Sequence, residues 1–146
     1  MPVDTSAAGK TYEPKTYAGG REKLREYANA VGESNPLHLD VEAARAAGYA
    51  DVVAPPMFAV VYSAPAMAPA VLDPEVGINL AMMVHGGQEF VWEVPVVAGD
   101  EIATTASVKD ISERDGKGFY VFETVSKNQD GETVCTGTWT NIVRGV

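Results

Sequence analysis

The chain has 146 residues, 46% of them hydrophobic and 21% charged, which suits one compact core and excludes a disordered chain. Its formal net charge of −9 argues against nucleic acid as a partner, because neutralising phosphates takes clustered Lys and Arg. A single cysteine, Cys135, and two histidines exclude an internal disulfide and a Cys/His zinc cluster, so neither metal nor cofactor is expected and a reducing, cytoplasmic location is.

Residues 1–10 are small and polar without periodicity and read as a mobile lead-in, ahead of a single domain over 11–146. Lys10, Lys15, Arg21, Lys23 and Arg25 concentrate positive charge near this end. An anionic ligand needs such a patch on so acidic a protein, although a solvated helix face accounts for the same charges. Leu24, Tyr27, Ala28 and Val31 follow the i, i+3, i+4, i+7 spacing of an amphipathic helix that Gly32 ends. Glu33 to Asp40 reads as a turn, since Pro36 biases Asn35 away from helix and Ser34 and Asn35 supply local hydrogen bonds. Asp40 caps a short helix from Val41 to Ala47.

Pro56 opens the next helix, where its missing N–H has no intrahelical acceptor, and the run Met57 to Tyr62 is apolar on all sides and predicts burial. Pro65 is expected to kink this helix or end it early. Pro65, Pro69 and Asp73 also interrupt the longest apolar stretch well short of a membrane span. From Ile78 the texture is β-branched and aromatic, predicting strands near 78–84, 87–96, 101–111, 118–128 and 132–143, with Asp115-Gly116 and Asp130-Gly131 as hairpin turns. Helices first and an antiparallel sheet second indicate an α+β fold with a curved sheet around one buried helix.

His38 carries the clearest chemical signal. Imidazole moves protons near neutral pH, and Glu33, five residues earlier in the same turn, can share acid–base work with it. By spacing alone, a loop histidine is more often structural. The string Glu33-Ser34-Asn35-Pro36-Leu37-His38, followed by Asp40, Gly48-Tyr49 and Val53-Ala54-Pro55-Pro56-Met57, resembles the hydratase signature of MaoC-like proteins, D-x-N-P-[IL]-H with a later H-G-M. His85-Gly86-Gly87-Gln88-Glu89-Phe90 and Pro95 to Asp100 resemble the subgroup containing the dehydratase-like domain of type I fatty-acid synthases and mycolic-acid-pathway dehydratase subunits.

This resemblance implies a hot-dog fold, an antiparallel sheet wrapped around a long central helix, paired edge to edge as a homodimer or as a heterodimer with another hot-dog subunit. It implies reversible syn-addition of water to a trans-2-enoyl thioester of coenzyme A or acyl carrier protein, giving a (3R)-3-hydroxyacyl thioester. His38 and Glu33 would be the catalytic pair. Asn35, the N–H of Met57 and His85 would contact substrate, and His85 would reach either the dimer seam or the ligand channel.

The sequence departs from the pattern twice. Glu33 stands where the family has aspartate, and Pro55-Pro56-Met57 replaces H-G-M, removing the glycine N–H that faces the oxyanion. Loss of one such donor typically costs about 10²–10³ in turnover, so Met57 would have to substitute at the helix start. A non-catalytic acyl-binding subunit of a heteromeric dehydratase is the alternative. A thioesterase on the same fold would need a nucleophile or carboxylate on the central helix, which Met57 to Met67 lacks. Trp92, Trp139, Tyr120 and Phe122 read as sheet packing, while Cys135 and Ser63 carry no catalytic signal of their own.

Overall fold

The computed structural model describes residues 2–146. Helix α1, Arg21–Ala30, buries Leu24 and Ala28. Gly32, at φ 73°, takes the left-handed conformation that lets Gly32 N–H donate to Asn29 O at 3.2 Å and Glu33 N–H to Ala28 O at 2.8 Å. The chain leaves the helix sharply there, with Val31 turned to solvent. Asp40 Oδ1 accepts from Glu42 N–H at 2.9 Å and starts α2, Val41–Ala46.

A 3-10 turn, Pro56–Phe58, leads into α3, Ala59–Val71. Pro65 does not end α3, which runs through both Pro65 and Pro69. Each proline removes one intrahelical N–H, but Ala59, Tyr62, Ser63, Ala66, Met67 and Ala70 are buried and hold the helix against the sheet. The opposite face was also expected to be covered. Instead Met57, Val60 and Leu72 are 48%, 36% and 63% exposed.

The sheet is antiparallel. Its strands are β1, Lys15–Ala18; β2, Met83–Trp92; β3, Glu101–Arg114; β4, Lys117–Lys127; and β5, Thr133–Arg144, in the order β1-β3-β4-β5-β2. With α3 packed on β1, β3 and β4, this is the α+β hot-dog arrangement. Short, polar β1 was not expected, and the strand expected over 78–84 is replaced up to Met82 by a turn that Asn79 caps. β2 continues through His85 by a bulge at Gly86. A Cβ there would collide with the Ile142 side chain, so any larger residue would force that side chain to move. Asp115 and Gly116, both at positive φ, form the two-residue turn that joins β3 to β4.

The stretch expected to be a mobile lead-in runs along β3, apart from Met1, which lies outside the described residues. Ala7 is buried, and Gly9 N–H donates to Val108 O at 2.8 Å. Lys10 Nζ and the Tyr12 hydroxyl donate to Asp73 Oδ2 at 2.6 and 2.7 Å, tying the segment to the end of α3.

Candidate functional site

The sharp exit from α1 sets up the site. Glu33 Oε1 accepts from the N–H groups of Ser34 and Asn35, each at 3.0 Å. The Asn35 bond, then the Ser34 bond and the nearby His38, hold the Glu33 carboxyl below its ordinary range despite some desolvation. Asn35 Oδ1 accepts from Leu37 N–H at 3.0 Å, and Pro36 begins a one-turn 3-10 helix that ends on His38. Glutamate and asparagine thus build the turn that presents the histidine.

His38 is 8% exposed. Its Nδ1 lies 2.6 Å from Val53 O, and a carbonyl only accepts, so Nδ1 carries the proton and Nε2 is bare in the neutral ring. Val53 N–H returns a bond to Leu37 O at 2.8 Å, locking the two loops together. Ala54 N–H donates to Val96 O at 2.8 Å and joins the loop to the segment after β2.

Between these pieces lies a cavity of about 250 Å³. One wall is Asn35, Leu37 and His38, the second is 53–56, the third is 92–96, and the buried Tyr62 and Val134 complete the lining with Tyr49. Most of this lining is apolar. Trp92, expected as sheet packing, is a rim residue whose Nε1–H donates to Pro56 O at 2.8 Å. Tyr120, Phe122 and Trp139 are core. A larger open hollow on the outer sheet face, beside Pro14 and Lys127, contains no acid–base group beyond a lysine.

Of the residues singled out in the sequence, His38 and Asn35 line the cavity. Glu33 lies behind them in the turn, and Met57 sits at the start of the helix outside the lining. Among the described residues the Met57 N–H has no acceptor. His85 lies apart on exposed β2, where Nε2–H donates to Gly87 O at 2.9 Å and the ring stacks on Trp139 at 5.9 Å. Ser63 is buried and its hydroxyl donates to Ala59 O.

Sequence reasoning missed Tyr62, which closes the cavity from α3. Burial, with lesser effects from the Cys135 thiol, drives its phenol far above the ordinary range, and burial likewise raises the thiol. Its one signal in the sequence is a tyrosine inside an otherwise small and aliphatic helix. Among the described residues no three His, Cys, Asp or Glu side chains converge as metal ligands, and no helix is long and apolar enough to cross a membrane.

Residues 6–137 match the family model described as FAS1-like, dehydratase domain region. A UPF0336 protein of Saccharopolyspora erythraea is 45% identical and the alignment covers 99% of this chain and 94% of that protein. The C-terminally truncated HadBC (3R-hydroxyacyl-ACP dehydratase) complex of Mycobacterium tuberculosis contains a chain similar at a TM-score of 0.79 and 30% identity, over 97% of this chain and 99% of that one. A MaoC-like dehydratase gives 0.82 and 31%, over 97% of this chain and 43% of that one. The R-hydratase PhaJ1 of Pseudomonas aeruginosa, at 0.73 and 20% over 95% of this chain and 83% of that one, shares the fold.

Proposed function

Since the chain belongs to the FAS1-like dehydratase-region family, we propose that it hydrates trans-2-enoyl thioesters and dehydrates (3R)-3-hydroxyacyl thioesters, with His38 and Glu33 as its acid–base pair. The observation that carries this reading is the buried His38 ring, its Nδ1–H committed to Val53 O, on the wall of an apolar cavity.

In hydration, the bare Nε2 of His38 takes a proton from water as the hydroxyl oxygen bonds to Cβ. The Cα=Cβ electron pair moves toward the thioester carbonyl. The imidazolium then returns that proton to Cα, and because one group serves both steps, hydrogen and hydroxyl add to the same face. Glu33, ionised at neutral pH and in the turn that carries His38, stabilises the imidazolium. The enolate oxygen takes the Met57 N–H at the start of the helix, where the dipole favours negative charge. Dehydration reverses each step.

The functional unit is a dimer, as a homodimer or with another hot-dog subunit. β2 has an unpaired edge with exposed Val84, Val91 and Trp92. Gln88 Oε1, on the same strand, is the one buried side-chain atom among the described residues without a hydrogen-bond partner. An open edge and apolar side chains invite pairing with a second strand. A specific observation also favours a second reading, an acyl-binding subunit beside a catalytic partner. Pro56 removes an oxyanion donor, and the 30%-identical relative is a chain of a complex.

Hydration of crotonyl-CoA, followed as loss of enoyl absorbance, separates the two. Turnover by the chain alone that falls in His38→Ala supports the enzyme. Turnover only after a second hot-dog subunit is added, and unchanged by His38→Ala, supports the acyl-binding subunit.

A further inference from the structure

We infer that the cavity takes a short acyl chain and that Tyr62 is the residue that sets its length; this rests on the acyl-thioester reading above. The cavity has about 250 Å³ and lies below the roughly 300–1,000 Å³ of ordinary small-molecule sites. With the thioester and the reacting carbons beside His38, room remains for only a short tail.

The lining is most deeply buried at α3 and β5. Tyr62 and Val134 are its most buried lining residues, 3% and 1% exposed, and behind them Phe58, Ile102 and Cys135 belong to the same packed core. The Tyr62 ring is held in place, with the Phe58 ring centre 6.3 Å away and Cys135 in the same core cluster. A longer chain would have to push this ring into a close-packed interior. A smaller side chain at 62 would open the space that the ring fills.

The test is equilibrium binding of acetyl-, butyryl-, hexanoyl-, octanoyl- and dodecanoyl-CoA, saturated thioesters that are not hydrated, measured calorimetrically. Each methylene accepted into the cavity should tighten binding about fourfold. Wild-type affinity should therefore climb to hexanoyl and then level or fall. Tyr62→Leu should move the break outward by two or more carbons, and Tyr62→Phe, which keeps the ring, should leave it in place. Wild-type affinity that climbs through dodecanoyl overturns the short cavity without any variant, and an unmoved break in folded Tyr62→Leu overturns the role of Tyr62. Failure of every thioester to bind overturns the acyl-thioester reading as well.

Discussion

At the scale of single residues, the division of labour between His38 and Glu33 makes distinct predictions. With His38 as the proposed proton carrier, His38→Ala should lower hydration by about 10²–10⁴, the usual worth of a positioned acid or base. Glu33→Gln should lose a similar factor in turnover, and it also trades two charge-assisted bonds to Ser34 and Asn35 for neutral ones. Glu33→Asp should keep activity or raise it, since it restores the family's carboxylate. Steady-state rates with crotonyl-CoA check all three, and equal rates for wild type, His38→Ala and Glu33→Gln would refute the mechanism. The pH dependence has a definite sign. A carboxyl held below its ordinary value is ionised above that value and loses its contribution as pH falls through the lowered one. The Glu33 contribution should therefore persist at neutral pH and fade only in acid.

Among the elements, α3 carries two internal prolines yet stays helical, because one face is buried against the sheet. Pro65 is exposed and leaves Val61 O without its i+4 donor. Pro65→Ala should raise stability by about 2 kcal/mol, the helical penalty of proline less the freedom it removes from the unfolded chain. A shift of the urea midpoint to higher concentration at constant m checks this. The tie between α3 and the N-terminal segment makes a second prediction. Asp73 is lowered to about 2 by its bonds from Lys10 and then Tyr12 and Glu75. Its stabilisation is full above the ordinary aspartate value and declines as pH falls toward 2. Asp73→Asn should lower the melting temperature at pH 7 and narrow the difference between pH 7 and pH 2, as read by scanning calorimetry.

For the whole molecule, the uncovered face of α3 and the open edge of β2 are predicted to be buried by a second subunit. Val84 and Val91 are 43% and 63% exposed on that edge strand, so Val84→Lys with Val91→Lys should oppose like charges across the seam and shift the protein toward monomer. Sedimentation velocity at micromolar concentration measures this. A wild type that is monomeric alone and when mixed with a second hot-dog subunit would end the dimer proposal.

The sequence by itself determined what depends on near neighbours. The α1 stripe, the Gly32 stop, the Asp40 cap and the turn from Glu33 to His38 are each set within a few residues, and the β texture after Ile78 follows from side-chain type. The Asn-Pro-Leu-His string likewise marked a turn that lines the cavity, because the turn that holds the histidine is itself local. Tertiary structure decided what depends on contacts far apart in the chain. It kept α3 helical past Pro65, since packing outweighs two lost hydrogen bonds, and it drew residues 2–10 onto β3 through Gly9 and Asp73. It moved Trp92 from the expected sheet core to the cavity rim, because β2 is the outer strand and its end reaches Pro56. Tyr62 became the inner wall for the same reason. No periodicity or spacing relates Tyr62 to His38 or Val134, and only the wrapping of the sheet around α3 brings the three to one cavity.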